Sequence, residues 1–281
     1  MGAFSRAWAW LRHQALPIYA ALATAYLLIP IAVVAIFSFG ATPKGKLTFA
    51  LDEGFTFEYW ETMFDIEALN EALLTSIELA ALATVIATAI GTAMAIALVR
   101  HQFKGRRVAN LLIVIPMATP EVVIGASLLS MFIYANFALG FSTLLIAHVM
   151  FCISFVVVVV RSRLIGFDRR LEEAAADLGA TPWATFRLVT LPLILPGVIA
   201  AGMLAFALSI DDFVISNFNS GTTVTFPLYV YGVSLRGIPV QVNAIATLIF
   251  IVASIAAIAV IWQQRRAERM AAVAPEPPAA S

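Results

Sequence analysis

The chain has 281 residues, of which 62% are hydrophobic and only 12% are charged. A soluble domain of this length needs far more charge to cover its surface, so the composition indicates that the lipid bilayer is the solvent of this protein. The 17 basic and 17 acidic side chains cancel, and this neutral balance gives no reason to expect nucleic acid as a partner.

Six stretches are apolar over the roughly 20 residues that a helix needs to cross the hydrocarbon core. The first follows two arginines, as a signal peptide would, but its apolar run is too long for one and no convincing cleavage site follows it. We therefore predict six transmembrane helices, the first one retained. They cover about residues 16–39, 72–99, 109–135, 141–160, 193–216 and 243–262.

The basic residues predict the orientation of these spans. With the N-terminus in the cytoplasm, every Lys and Arg except Lys44, Lys46 and Arg236 falls in a cytoplasmic segment. Such an excess is typical of cytoplasmic loops in cell-membrane proteins. Both termini are therefore expected in the cytoplasm, with residues 1–15 as one tail and residues 266–281, which end in the Pro-rich APEPPAAS, as a disordered second tail.

Residues 16–71 hold the first span and an outer segment that ends in TFEYWETMFDIEALNEAL. The aromatic side chains of this stretch favour a short helix lying at the membrane surface. The outer segment also contains GATPKGKL, which fits the start of a nucleotide-binding loop but has Leu47 where Ser or Thr must hold magnesium. It follows a membrane span rather than a strand, so we predict that the chain binds no ATP by itself.

The third predicted span contains Pro116 and Pro120, which leave backbone carbonyls unpaired and kink a helix. Inside a bilayer such a break is tolerated where it is covered by protein or lines a wet cavity. Glu121 follows directly, at a depth where an ionisable side chain is costly and is a candidate for function. The alternative is a structural role, either as a protonated group packed between helices or as an acceptor of hydrogen bonds near the kink.

The loop after the fourth span reads LEEAAADLGATPWATFRLVTLPL over residues 171–193, and its pattern is that of a soluble protein. Asp168 can cap a first helix, and Gly179 suits the left-handed position that ends it. Thr181–Pro182 can begin a second helix, which Leu191–Pro192 would close. The pattern predicts a helix–turn–helix element held outside the membrane.

The first helix of this element carries Leu171, Ala174, Ala175 and Leu178 at the i, i+3, i+4, i+7 spacing of one apolar face. Its small alanines would let a partner approach closely. From this pattern alone, an amphipathic helix lying on the bilayer is an equal alternative.

The spacing of the same loop resembles the EAA loop of ABC-importer permeases, whose pattern is EAA-x3-G-x9-I-x-LP. The matching residues are Glu173, Ala174, Ala175, Gly179, Leu191 and Pro192, with Val189 in place of isoleucine. The resemblance covers a permease domain at residues 72–265, with the coupling loop at 168–192. It implies an all-α integral membrane protein with six transmembrane helices and the MetI-like fold of type I importer permeases.

In that family the EAA loop is a coupling helix that docks in a groove of a separate ATPase. The resemblance implies that the matching residues couple this chain to two ATPase subunits. It also implies a second permease subunit, expected to be a different chain, and an extracytoplasmic binding protein. ATP hydrolysis belongs to the partners, so this chain is expected to be no enzyme and to hold no cofactor.

Three further stretches are similar to spermidine/putrescine importer permeases, which implies a polyamine substrate. They read IPMATPEVVIGASLL (115–129), FALSIDDFVISNFNSG (206–221) and FPLYVYGVSLRGIPVQVNAIATLIF (226–250). Iron, sulfate and molybdate permeases share parts of this frame, so these solutes, and amino acids, are alternatives. Because polyamines are flexible cations, their passage should offer carboxylates and aromatic faces.

Asp211 and Asp212 are adjacent carboxylates about 18 residues, or roughly 27 Å, into the predicted fifth span. Neighbouring residues of a helix point about 100° apart, so at least one of them is expected to face the bundle interior. Together with Glu121 they are candidates for the substrate passage. Alternatively, either aspartate reaches the interface or caps a helix after a break near Ser209.

Two other classes of protein are less well supported. A self-sufficient ion-coupled carrier would leave the EAA loop unexplained. An intramembrane enzyme would need a catalytic set such as HExxH, GxSxG or Ser/His/Asp, and we find none in the sequence. His13, His101 and His148 lack the spacing of metal ligands and are interpreted as an interfacial, a loop and a packed histidine. Cys152 cannot form an intrachain disulfide.

Overall fold

The computed structural model of the protein describes residues 2–40, 54–166 and 168–273, most of which are helical. Within these ranges, five helices are long and apolar enough to cross a membrane: Gln14–Phe37, Glu67–Arg100, Phe141–Ile165, Pro182–Ile210 and Val240–Trp262. A sixth apolar segment consists of two shorter helices bent by 111° relative to each other. The prediction of an all-helical membrane protein is confirmed, with six spans if the bent pair counts as one.

Two predictions concern residues outside those ranges. Most of the GATPKGKL stretch lies within residues 41–53, and the end of the proposed C-terminal tail lies within residues 274–281.

The chain forms two compact units, of which one combines residues 1–66 with residues 233–281. In this unit the long helices α1 (Gly2–Phe37) and α12 (Val240–Val273) pack together. The predicted surface helix is only the four-residue α2 (Glu58–Glu61). Helix α12 includes residues 266–273, so the prediction of a disordered tail is wrong for this stretch, in which Arg, Ala, Glu and Met are good helix formers.

The second unit, residues 67–232, is built around three helices that pack against one another: α3 (Glu67–Arg100), α6 (Phe141–Ile165) and α9 (Leu191–Ile210). Small residues allow their close approach. A Cβ on Gly91 of α3 would lie 2.6 Å from a methyl group of Val156 on α6. Such small-residue contacts are typical of helices that associate in membranes, where dispersion forces and close packing replace the hydrophobic effect.

The third predicted span is broken rather than kinked. Helix α4 (Arg106–Ala118) ends at Thr119, whose backbone is extended, and α5 (Glu121–Tyr134) begins after Pro120. Proline disfavours the helical conformation in the residue before it, so the break falls at Thr119. Pro116 stays inside α4. Each half is only about 20 Å long at 1.5 Å per residue, too short to cross a bilayer alone.

The prediction that Leu191–Pro192 closes the second helix of the loop is wrong. Helix α7 (Arg170–Asp177) is followed by a continuous helical run that comprises α8 (Pro182–Thr185), a π-helical turn (Phe186–Thr190) and α9. In the π-helical turn the Leu191 N–H donates to the carbonyl of Phe186, five residues back. This wider register carries the chain past Pro192, which has no N–H to donate.

The fifth span also ends earlier than predicted. Helix α9 stops at Ile210, not at residue 216, and the chain is non-helical at 211–213 before it forms α10 (Val214–Asn219). A further short helix, α11 (Phe226–Ser234), follows. The two adjacent aspartates therefore lie in a helix break, and the helical geometry that we predicted for them is wrong.

Candidate functional site in the EAA loop and at a carboxylate cluster

The first helix of the EAA loop (residues 168–192) begins and ends as its sequence predicts. Oδ1 of Asp168 accepts a hydrogen bond of 2.9 Å from the Arg170 N–H at the start of α7. Gly179 has a φ of +84°, and its N–H donates to the Ala176 carbonyl while the Ala180 N–H donates to the Ala175 carbonyl. This pair of bonds is the Schellman arrangement that favours glycine.

The second helix of the loop also begins as predicted. The Thr181 side chain accepts a hydrogen bond from the Ala184 N–H, and Pro182 is the first helical residue. Local capping chemistry therefore fixes the sharp turn between α7 and α8.

The apolar face predicted on α7 carries large side chains that are exposed in this chain. Leu171 is 50% exposed and Leu178 is 89% exposed. Trp183 on α8 and Leu188 in the π-helical turn extend this apolar surface, with exposures of 69% and 72%. Leu171 and Leu178 lie outside the helices that could cross a membrane, and large apolar groups left exposed there indicate a surface that another protein covers.

The six predicted coupling residues occupy three places in the loop. Glu173, Ala174 and Ala175 lie on α7, Gly179 ends that helix, and Leu191–Pro192 begin α9. Glu173 is exposed and lies 3.4 Å from Arg169, the residue just before α7. An exposed ion pair of this kind contributes little to stability, so Glu173 is available to a partner.

Sequence reasoning missed Glu172, the preceding residue. Its carboxylate is 3.1 Å from Nε of Arg100 at the end of α3 and accepts a 2.8 Å hydrogen bond from the Thr190 hydroxyl. The two consecutive glutamates were visible in the sequence. Which of them faces the bundle depends on contacts with residues far away along the chain.

The predicted passage residues are brought together by the packing of α5 against α10. A Cβ on Gly125 of α5 would lie 2.8 Å from the Phe218 ring of α10, and the Asn219 side chain donates to the Gly125 carbonyl. Glu121 is the first residue of α5 and the two aspartates precede α10. Glu121 is close enough to Asp211 and Asp212 to interact electrostatically with both. We refer to these three residues as the carboxylate cluster.

Asp212 is the buried member of the cluster, and its carboxylate contacts two backbone N–H groups and a histidine. Its carboxylate oxygens accept hydrogen bonds of 3.2 Å from the Ile215 N–H and 2.8 Å from the Ser216 N–H, which is how an aspartate caps a helix. Oδ2 also lies 3.4 Å from Nε2 of His148. This geometry matches the alternative of a cap after a helix break.

His148 is the packed histidine that the sequence suggested, with an exposure of 2%. Its Nδ1 is 2.7 Å from the Ser209 hydroxyl and its Nε2 is 3.0 Å from the Ser216 hydroxyl. The ring thereby ties α6 to both sides of the break between α9 and α10. Because both hydroxyls are buried and already bound to the ring, this Ser/His/Asp group has the geometry of a structural network.

Asp211 and Glu121, unlike Asp212, are exposed in this chain. Next to the cluster, the rings of Phe213 and Tyr231 lie 4.8 Å apart between centroids, and Tyr231 is 53% exposed. Neither aromatic residue was singled out from the sequence, because the pairing of α11 with the helix break is not visible there. Exposed carboxylates beside an aromatic pair can bind an organic cation.

A metal site is not indicated. Within the described ranges, no three His, Cys, Asp or Glu side chains are grouped so that they could hold a metal ion. Cys152 is a buried free thiol 3.5 Å from the Ala205 carbonyl.

Comparison with known proteins gives consistent results. Residues 87–271 match the protein family described as "Binding-protein-dependent transport system inner membrane component". The chain is 39% identical to the spermidine/putrescine transport system permease protein PotC of Haemophilus influenzae, over 81% of this chain and 87% of that one. It is 37% identical to the putrescine transport system permease protein PotI of Escherichia coli K12, over 87% and 88% of the two chains.

Solved structures share the fold. A chain of a bacterial ABC transporter involved in the import of the acidic polysaccharide alginate superimposes with a TM-score of 0.66 at 16% identity. The match covers 94% of this chain and 99% of that one. At this identity the likeness shows the fold alone.

Proposed function

Because this chain belongs to the family of inner-membrane components of binding-protein-dependent transport systems, we propose that it is the permease subunit of an ATP-driven polyamine importer. The observation that carries the proposal is its 39% identity, over most of both chains, to a spermidine/putrescine permease. The carboxylate cluster supports a cationic solute independently of that identity.

The charge of the cluster favours a polyamine over the alternative solutes. Three carboxylates within electrostatic range of one another repel an anion such as sulfate or molybdate and attract a cation. A polyamine carries several ammonium groups on a flexible apolar chain, so the exposed ring of Tyr231 can contact the chain or an ammonium group while Asp211 and Glu121 bind others.

The EAA loop is where the ATPase docks in this proposal. Two ATPase subunits serve the complex, one for this chain and one for a second permease, and an extracytoplasmic binding protein delivers the polyamine. The exposed apolar face of α7 and α8, with Glu173 at its rim, has the shape of a helix that fits a groove. Gly179 sets the angle between α7 and α8, while Leu191 and Pro192 begin the transmembrane helix that follows.

The two parts of the site lie at opposite ends of α9. This helix has 20 residues, which corresponds to about 30 Å, the thickness of the hydrocarbon core. With the EAA loop and both termini in the cytoplasm, the carboxylate cluster is at the outer mouth of the passage. There it can receive a cation from the binding protein, and alternating access driven by the ATPase then moves the cation inward.

A gene-deletion experiment tests the solute. Deletion of the gene should abolish uptake of radiolabelled spermidine or putrescine at micromolar concentration, and the wild-type gene should restore it. Uptake of labelled sulfate, iron and amino acids should stay unchanged. Loss of one of these in place of polyamine uptake would assign the chain to an alternative solute.

A further inference from the structure

We propose that Glu172 is a positioning residue that transmits movement of the EAA loop to the transmembrane helices. The proposal rests on the proposed function, because it assumes that an ATPase moves α7. The carboxylate of Glu172, together with Arg100 and Thr190, forms what we refer to as the Glu172 joint.

One carboxylate in this joint connects three elements. Oε2 of Glu172 on α7 lies 3.1 Å from Nε of Arg100, the last residue of α3. Oε1 accepts a 2.8 Å hydrogen bond from the hydroxyl of Thr190, the last residue of the π-helical turn before α9. A displacement of α7 therefore acts directly on the end of α3 and on the start of α9, two of the three helices that pack together in residues 67–232.

The joint is largely shielded from solvent. The side chains of Arg100 and Glu172 are 14% and 17% exposed, and Thr190 is 5% exposed. The Thr190 hydroxyl gives the carboxylate a charge-assisted hydrogen bond, which is directional. Arg100 and Glu172 form an ion pair, and removal of one partner leaves the other charge poorly compensated. The neighbouring Glu173–Arg169 pair, by contrast, is more than 60% exposed and joins α7 only to the residue before it, so it cannot transmit force to the bundle.

Other polar contacts at this end of the bundle leave α7 out. Arg161 of α6 donates to the Asn110 side chain of α4 over 2.7 Å, and Arg163 of α6 donates to the Leu193 carbonyl of α9. These contacts hold the transmembrane helices to one another. The Glu172 joint is different in kind because it holds the loop to the bundle.

The hydrogen bond from Thr190 comes from a segment with irregular helical spacing. The π-helical turn has five-residue hydrogen-bond spacing, which is rare and is often found at functional sites. A pull on Thr190 acts at the boundary between this turn and α9. The geometry points to the following movement: when α7 shifts, Thr190 moves with it, and α9 then changes direction.

The test uses the complete complex, purified through this chain and reconstituted in proteoliposomes, with Glu172→Gln, Arg100→Gln and Thr190→Val as variants. Exposed Asp177 on the same helix provides a matched control, Asp177→Asn. For each variant, three quantities are measured: the amount of ATPase that copurifies, the rate of ATP hydrolysis, and the uptake of labelled spermidine per ATP hydrolysed.

We expect Glu172→Gln and Arg100→Gln to keep the ATPase bound but to lower uptake per ATP by about tenfold, within the usual range of coupling between linked sites. Asp177→Asn should match the wild type. The charge-swapped double variant Glu172→Arg, Arg100→Glu should recover more uptake per ATP than either single swap, which a general loss of folding would not allow.

Three other results are possible, and each one contradicts either the role of the joint or the proposed function. Unchanged uptake per ATP in both Gln variants would overturn the joint while the proposed function stands. Loss of ATPase binding in Glu172→Gln would also overturn it, because the residue would then serve docking. Failure of wild-type chain to bind any ATPase would instead refute the proposed function.

Discussion

Nε2 of His148 lies 3.4 Å from Oδ2 of Asp212, and both side chains are almost completely buried. The pair joins the middle of α6 to the break between α9 and α10, where Asp212 also accepts two backbone N–H groups. Asp211, the adjacent residue, is exposed. The two aspartates that look equivalent in the sequence therefore have different surroundings, and we expect different results when each is changed.

Replacement of Asp212 by alanine should destabilise the protein. The change removes the acceptor for two N–H groups and the partner of His148, and loss of one member of a buried polar pair costs about 3 kcal/mol. Thermal unfolding of the purified protein in detergent should show a clear fall in the midpoint temperature. Asp212→Asn should have a smaller effect because asparagine also caps helices, and equal midpoints for Asp212→Ala and wild type would contradict this role.

Replacement of Asp211 by asparagine should lower transport without affecting assembly. The change keeps the size of the side chain but removes a charge that attracts the cation, so the uptake of spermidine at low concentration should fall by about tenfold, equivalent to roughly 1.4 kcal/mol. Labelled uptake into cells that express each variant measures the effect. Asp65→Asn, at an exposed position before the second long helix, is the control for loss of a carboxylate elsewhere. Unaltered uptake in the Asp211→Asn, Asp212→Asn double variant would remove both residues from the passage.

Tyr231 should contribute through its ring rather than its hydroxyl. Tyr231→Ala removes the aromatic face next to Phe213 and should lower uptake several-fold, in line with a cation–π energy of about 1 kcal/mol. Tyr231→Phe keeps the ring and should transport nearly normally. If the two variants behave alike, the ring does not contact the polyamine.

Substitution of Gly179 should lower transport mainly by changing the angle between α7 and α8, and less by straining the turn. A Cβ at Gly179 meets no atom within 4 Å, so the cost of Gly179→Ala is the left-handed backbone alone, about 1 kcal/mol. Gly105 offers a matched control because it also has positive φ and open space around it. We expect Gly179→Ala, and more strongly Gly179→Trp, to lower ATP-driven uptake while Gly105→Ala does not. Equal uptake in all three variants would contradict a coupling role for this turn.

The orientation can be tested with single cysteines in a Cys152→Ala background. Gly221 is unsuitable as an outer position because a Cβ there would lie 2.5 Å from the Leu139 carbonyl oxygen. Its neighbour Thr222 is exposed, as is Gln102 after α3. In intact cells a membrane-impermeant thiol reagent should label Thr222→Cys and should label Gln102→Cys only after the membrane is opened. The reverse pattern would invert the topology.

Short-range signals in the sequence were sufficient to predict how the first helix of the EAA loop begins and ends and where the second helix begins. Asp168, Gly179 and Thr181 act within four residues of their own positions, so their capping roles could be predicted. Pro192 was misread because the rule for proline assumes α-helical spacing, which the π-helical turn avoids. The bend at Pro120 was foreseen as a kink, but its 111° depends on packing against other helices.

Contacts between residues far apart in the chain could not be predicted. The contacts of His148 with Asp212 and of Glu172 with Arg100 depend on how separate elements pack against one another in three dimensions. Hydrophobic periodicity indicates which segments cross the membrane but not which faces meet. The identity of the candidate carboxylates was therefore accessible from sequence, while their division into buried and exposed groups was not.

The most direct test of the account is ATP-dependent uptake of spermidine by proteoliposomes of defined composition. The account predicts uptake when this chain is reconstituted with a second permease, the ATPase, enclosed ATP and an external binding protein. It predicts no uptake by this chain alone, with or without an ion gradient. Uptake of spermidine by the chain alone, driven by an ion gradient and indifferent to ATP, would show a self-sufficient carrier and would contradict the account.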